Sequence, residues 1–169
     1  IVEFDESADF LPFGTDVSVR QDDTSFSISP MPFTFEFFGQ VVTGPVYVTT
    51  NGVIEFGQNS VGGTYNNTGL PFGNRLVAMP FWDDLDPRFG GTIGLYDADG
   101  VRVITYLDIP YYSDISRKVS FQIAFFSNGQ IQIRYGRMDS IADGSATIGL
   151  SNGTQIAAPS LGNVVNDPT

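Results

Sequence analysis

Three aspartates in the middle of the chain are the residues best suited to hold a metal ion. Asp83, Asp84 and Asp86 lie in the segment Phe-Trp-Asp-Asp-Leu-Asp. Ca²⁺ takes oxygen ligands such as carboxylates, and main-chain carbonyls can complete its shell. The cluster therefore predicts a calcium site. A second interpretation stays open, because aspartates at a strand end also cap turns or pair with arginines, and Arg75 and Arg88 are close in sequence.

Catalytic chemistry is limited by the residue types that the chain lacks. Its 169 residues include no cysteine and no histidine, which excludes disulfides, thiol nucleophiles, Ser-His-Asp triads and the usual zinc ligands. Two carboxylates, as in glycoside hydrolysis, are the remaining acid and base pair. Glu36 and Glu55 lie on separate expected strands, where alternation predicts that both point to solvent. The sequence therefore predicts a protein that is not an enzyme.

Aromatic residues suggest a glycan as another partner. Tyr65, Tyr111 and Tyr112 carry rings that stack on sugars, although such rings are also ordinary core and cross-strand partners. Asn66 and Asn152 each begin a glycosylation triplet in a turn-rich segment, a pattern that is coincidental in most prokaryotes. A calcium-assisted glycan-binding adhesin is thus one of two open functions.

Charge and composition restrict the partners further. The net charge of -11 and the pI of about 4.1 argue against nucleic acid and anionic membranes, because phosphate-binding surfaces need clustered Lys and Arg. No run of 18 apolar residues is present, so no membrane span is expected. The chain begins with Ile rather than Met, which favours a mature protein that is secreted or on the cell surface. The lack of cysteine favours a prokaryotic source.

Alternation with a period of two indicates strands throughout the chain. It occurs in residues 33–38, 46–50, 53–56, 92–96, 101–107, 119–126, 130–135 and 146–150. Asn51-Gly52 favours a type I′ hairpin, in which both central residues have positive φ, and residues 97–100 form another turn. Residues 57–80 are irregular except for a short buried strand at 76–79. The pattern predicts an all-β, antiparallel β-sandwich or jelly roll with little or no helix.

Several segments, taken in order, resemble nidogen-like (NIDO) domains and related bacterial surface modules. They are Phe-Phe-Gly at 37–39, Asn-Gly-Val-Ile-Glu-Phe at 51–56, Met-Pro-Phe-Trp-Asp-Asp-Leu-Asp at 79–86, Asn-Gly-Gln-Ile-Gln-Ile-Arg-Tyr-Gly at 128–136 and Thr-Ile-Gly-Leu at 147–150. The resemblance covers residues 26–152, and the Pro-Phe-Trp-Asp-Asp portion is its most specific part. It implies a secreted adhesive or matrix-associated role without catalysis.

The two ends of the chain suggest how it would assemble. The sequence predicts one domain over residues 1–169, with a nidogen-like core at 26–152 and a docked tail at 153–169. Ile1, Val2, Glu3 and Phe4 have strand-like composition, and residues 1–7 are a candidate donor strand for a neighbouring copy. The main functional hypothesis is therefore a self-assembling filament or matrix subunit. The same strand pairing within its own sheet is the alternative.

Overall fold

Two six-stranded β-sheets form the protein, as seen in a computed structural model that describes residues 2–5 as main chain, and residues 9–140 and 145–158. The strands are β1 (Val2–Asp5), β2 (Thr15–Asp16), β3 (Ser25–Ile28), β4 (Glu36–Phe37), β5 (Gln40–Val41), β6 (Val46–Thr49), β7 (Ile54–Phe56), β8 (Val77–Trp82), β9 (Thr92–Ala98), β10 (Val101–Pro110), β11 (Lys118–Phe126), β12 (Ile131–Met138), β13 (Thr147–Ser151) and β14 (Ile156–Ala157). One 3-10 turn covers Pro87–Phe89. The predicted all-β class is confirmed.

The sheets are built mainly from antiparallel neighbours. Sheet A has the order β1-β12-β11-β10-β9-β2, and sheet B has the order β14-β13-β8-β7-β6-β3. Strands β4 and β5 form a separate small ribbon. Among the described strands, β1 and β12 are the one parallel pair. Within that described part, no helix has both the length and the apolar character needed to cross a membrane.

The core lies between the inner faces of the two sheets. Phe56 from sheet B and Phe125 from sheet A meet edge to face with ring centroids 5.5 Å apart, and Phe35 packs on Phe125 at the same distance. Tyr106 stacks on Phe121 at 4.5 Å. Burial of each such side chain contributes about 1.5–3 kcal/mol, so the rings that meet across the two sheets help to hold the sheets together.

Both outer faces are also covered, and this overturns one expectation from the sequence. Glu55 was expected to point to solvent but is fully buried. The irregular segment after β7 folds back over sheet B, and the main-chain N–H groups of Ser60 and Val61 each donate to the Glu55 carboxylate at 2.8 Å. On sheet A, the main chain of Leu11 exchanges two hydrogen bonds with the Gln122 side chain. Glu36 is exposed, as expected.

The predicted hairpins form, but the Asn51-Gly52 loop has a different turn type. Strands β6 and β7 pair antiparallel as expected. Gly52 has a φ of 83°, whereas Asn51 is absent from the residues with positive φ, so the loop is not a type I′ turn. A Cβ on Gly52 would clash with the Phe81 carbonyl oxygen. The close approach of these two main-chain segments therefore also requires glycine here. Asn51 serves another purpose, described below.

Candidate functional site

Loops from both sheets converge at one end of the sandwich, beyond the carboxyl end of β8. The Tyr112 N–H, after β10, donates to the Asp84 carbonyl at 2.9 Å. The Asp83 N–H donates to the Asn51 carbonyl at 3.2 Å, which ties the same loop to the β6–β7 hairpin. We define the acidic end as the side chains gathered there, which are Asp22, Asp23, Asp83, Asp84, Asp86 and Arg88.

Three carboxylates of the acidic end face one another. Asp22, Asp23 and Asp84 each place one oxygen within 4.8 Å of the others. Asp23 is exposed, and the other two are half-buried. The Oδ1 atom of Asp22 is buried and has no hydrogen-bond partner among the described residues, while its Oδ2 accepts from Arg88 at 2.6 Å. Oxygens from segments about 60 residues apart in sequence thus surround one point that is open to solvent.

The aspartates predicted as a calcium site from sequence have different surroundings. Asp84 belongs to the facing group, but Asp86 is fully buried and accepts from the Arg88 side chain at 2.6 Å. Asp86 also accepts from the Arg88 N–H, so it caps the 3-10 turn. Asp83 is buried, and its Oδ1 accepts from the Asp84 N–H. Capping and arginine pairing, the second interpretation from sequence, therefore describe Asp86.

The other nearby arginine does not join the acidic end. The Arg75 guanidinium lies over the Phe72 ring, 4.5 Å from its centroid, rather than beside a carboxylate. Sequence reasoning also missed Asp22 and Asp23. Their one signal was an adjacent pair of acidic residues between Gln21 and Thr24, and nothing local indicated that this pair would meet Asp84.

Negative charge at the acidic end is only partly compensated. Burial, together with the smaller effect of the charges of Asp23, Asp22, Asp83 and Asp86, raises the pKa of the Asp84 carboxyl to about 6. The pKa of Asp22 is also raised, mainly by burial and then by Asp86. The hydrogen bond to Asp86 is the main reason that the pKa of Arg88 is raised. A bound cation would offset the repulsion that remains.

Asn51 holds these loops in place through its side chain. It is fully buried, and its Oδ1 accepts from the Leu85 N–H at 2.9 Å. Its Nδ2 donates to Asp23 Oδ1 at 2.8 Å and to the Gly63 carbonyl at 2.9 Å. One amide therefore links the strand end that carries Asp84 to the loop that carries Asp23.

The aromatic residues proposed to stack on sugars differ in exposure. Tyr111 is 3% exposed, and its hydroxyl donates to the Asp139 carbonyl, so its ring is a core ring. Tyr112 is 54% exposed beside the acidic end, and Tyr65 is 46% exposed on the loop between β7 and β8. Phe89, which sequence reasoning did not consider, is 57% exposed, and the Arg88 guanidinium lies 5.6 Å from its ring centroid.

The remaining predicted sites lie elsewhere. Asn66 is exposed, whereas Asn152 is half-buried and its Oδ1 accepts from the Gln155 N–H at 2.7 Å. Strand β1, which includes Val2, Glu3 and Phe4, pairs with β12 of the same chain. Ile1 and the part of the predicted docked tail after residue 158 lie outside the described residues.

Comparison with known proteins places the chain in a family. A family model described as NIDO related matches residues 4–169, which is almost the whole length. No solved structure matches the chain. The match confirms the resemblance found in residues 26–152 and indicates an extracellular type of module from a non-enzymatic family. The chain belongs to the NIDO-related family.

Proposed function

We propose that this protein is a secreted adhesive module that binds Ca²⁺ at the acidic end through Asp22, Asp23 and Asp84. The observation that carries the proposal is the approach of these three carboxylates to within 4.8 Å of one another. Ca²⁺ is a hard cation that accepts carboxylates in flexible geometry. The bound ion would join the β2–β3 loop to the loop after β8 and so stabilise the surface used for adhesion.

The surrounding charges support a cation at this position. Arg88 is the one basic side chain that the described contacts place at the acidic end, and its guanidinium is shared between Asp86 and Asp22. Asp84 makes no ion pair among the described residues. Asp83 and Asp86, the other ligands predicted from sequence, would not contact the ion in this proposal. Asp86 would hold Arg88 in place, and Asp83 would hold the Asp84 main chain through its hydrogen bond to the Asp84 N–H.

Thermal unfolding at neutral pH tests the calcium site. Ca²⁺ at a hundred times its Kd should raise the free energy of unfolding by about 2.7 kcal/mol, because the ion binds only the folded state. For a domain of this size that corresponds to a rise in Tm of about 5–10 °C. Asp84→Asn should lose this rise, while its calcium-free Tm should match or exceed that of the wild type because one repelled charge is removed.

Asp99→Asn is the matched control, since Asp99 is exposed in the hairpin turn between β9 and β10. That variant should keep the full response to Ca²⁺. An unchanged Tm of the wild-type protein in Ca²⁺, or an equal rise in Asp84→Asn, contradicts the proposed site.

A second candidate function is self-assembly by exchange of the amino-terminal strand. It is favoured by the position of β1, which lies at the edge of sheet A and pairs in parallel with β12 over only four residues, from Val2↔Ile131 to Asp5↔Arg134. The β1 strand of a neighbouring copy would form the same main-chain hydrogen bonds, with Ile1, Val2, Glu3 and Phe4 setting the register. Such a contact joins two different surfaces, and a contact of this kind produces filaments when the rotation between copies does not close into a ring.

Negative-stain electron microscopy tests the exchange. We expect filaments from the purified chain, and their loss in a variant that lacks residues 1–7. A synthetic peptide of residues 1–7 should shorten the filaments by occupying the β12 edge, whereas a scrambled peptide of the same composition should not. Dispersed particles from the full chain, or filaments that persist after the deletion, contradict this candidate.

A further inference from the structure

Two exposed aromatic rings flank the acidic end. Phe89 and Tyr112 are each more than half exposed, although rings of this size are usually at least partly covered in a folded protein. Tyr112 is joined to the Asp84 carbonyl through its N–H, and Phe89 lies against the Arg88 guanidinium, which contacts Asp22. The two residues are therefore linked to the facing carboxylates, Tyr112 through its main chain to Asp84 and Phe89 through Arg88 to Asp22.

The cation proposed at this site would have unfilled coordination positions. Ca²⁺ takes six to eight oxygen ligands, and three carboxylates that act as single-oxygen ligands provide only three of them. Because Asp23 is exposed, the unfilled coordination positions of the ion would face solvent at the acidic end. Ligands for those positions would be water or the hydroxyl groups of a bound molecule.

Charge and shape together indicate the chemistry of such a molecule. The net charge of -11 disfavours an anionic ligand. Arg88 is paired with Asp86 and Asp22, so it offers little attraction to an added anion. A neutral saccharide has both features that the site accepts, which are neighbouring hydroxyl groups for the cation and an apolar C–H face for an aromatic ring.

We propose that Phe89 and Tyr112 form a stacking ledge for a neutral sugar ring, two of whose neighbouring hydroxyls complete the shell of a Ca²⁺ ion held by Asp22, Asp23 and Asp84. This inference rests on the proposed calcium site and names the ligand of that site. It also assigns different roles to the exposed aromatic residues. Phe89 and Tyr112 contact the sugar, whereas Tyr65 does not.

Affinity electrophoresis of the full chain in native gels tests the ledge. The gels would contain galactomannan, arabinoxylan, dextran or mixed-linkage β-glucan as neutral probes, and hyaluronate as an anionic probe, each with Ca²⁺ or with EDTA. We expect retardation by at least one neutral polysaccharide in Ca²⁺ and none in EDTA. Phe89→Ala and Tyr112→Ala should each weaken this binding by about 3- to 10-fold, and Tyr65→Ala should leave it unchanged.

The rise in Tm with Ca²⁺, measured on the same variants, separates failure of the ledge from failure of the ion site. Phe89→Ala and Tyr112→Ala should keep that rise, which shows that they remain folded and bind the ion. A normal rise without retardation by any neutral probe overturns the ledge and leaves the calcium site intact. Retardation that survives EDTA, or that appears only with hyaluronate, also overturns it, and absence of the Tm rise overturns the calcium site itself.

Discussion

Replacement of Asn51 by alanine should lower the free energy of unfolding by about 2–4 kcal/mol, because three hydrogen bonds depend on the amide of this fully buried residue. The Leu85 N–H would lose its acceptor in a fully buried position, and the Gly63 carbonyl and Asp23 would lose their donor. The loss therefore includes the desolvation of groups left unpaired as well as the bonds themselves.

Urea denaturation measures this effect, and the Asn128-Gly129 hairpin supplies the control. Asn128 is exposed between β11 and β12, and its side chain has one hydrogen-bond partner within the described part of the chain, the Gln130 N–H, which donates to Oδ1 at 2.9 Å. Asn128→Ala should therefore cost less than about 1 kcal/mol. Equal losses in the two variants would show that Asn51 acts only as a turn residue.

The same substitution also tests whether calcium binding depends on the position of the acidic residues as well as on their charge. Asn51→Ala keeps Asp22, Asp23 and Asp84 but removes the link between their loops. The rise in Tm with Ca²⁺ should therefore become smaller even at temperatures where the variant is folded. A full calcium response in Asn51→Ala would mean that the main chain alone fixes the positions of the carboxylates.

The sequence was informative where side chains alternate over a long strand. Strands β9 to β13 were predicted within a few residues, because each alternates between a covered face and the core and ends at a turn residue. Strand β8 is longer than expected and extends through Pro80 to Trp82. Strand β3 was missed, because its four residues are bounded by polar segments and their alternation is too short to detect.

Sequence reasoning failed where packing between distant segments decides the outcome. Glu55 lies on the outer face of sheet B, as the alternation of β7 predicts. The loop after β7 covers that face, and no local sequence pattern indicates such a covering loop. Asp22 and Asp23 meet Asp84 because β3 pairs with β6, next to the hairpin that holds Asn51. Strand pairing of this kind is a property of the assembled sheet. The sequence therefore predicted Asp84 as a ligand but could not predict that Asp22 and Asp23 would join it.

The parallel position of β1 has the same origin. A strand at the amino terminus gives no indication of its partner, and β12 lies about 130 residues later in the chain. Composition alone therefore left pairing within the sheet and exchange between copies equally open. The geometry of the pair is compatible with both, because main-chain hydrogen bonds in one register do not depend on which copy supplies the strand.

Arg102→Met should also lower the free energy of unfolding by about 2–4 kcal/mol, since it removes the buried donor that serves Asp97 and the carbonyls of Ser29 and Pro30 at once. Arg102 has no exposed surface although it carries a full charge. Its Nε and Nη2 atoms donate to the Asp97 carboxylate at 2.7 and 2.6 Å, and its Nη1 atom donates to the Ser29 carbonyl at 2.6 Å. Ser29 follows β3 of sheet B, so this guanidinium joins the two sheets.

A double-mutant cycle with Asp97→Asn distinguishes the ion pair from the link between sheets. Asp97 is about one-third exposed, so its loss should cost less than the loss of Arg102, which also serves the carbonyls of Ser29 and Pro30. Arg117→Met is the matched control, because Arg117 is half exposed and lies 3.8 Å from Asp114, and it should not measurably change stability. Equal losses in Arg102→Met and Asp97→Asn, with full coupling, would assign the whole effect to the ion pair and leave no separate contribution from the link to sheet B.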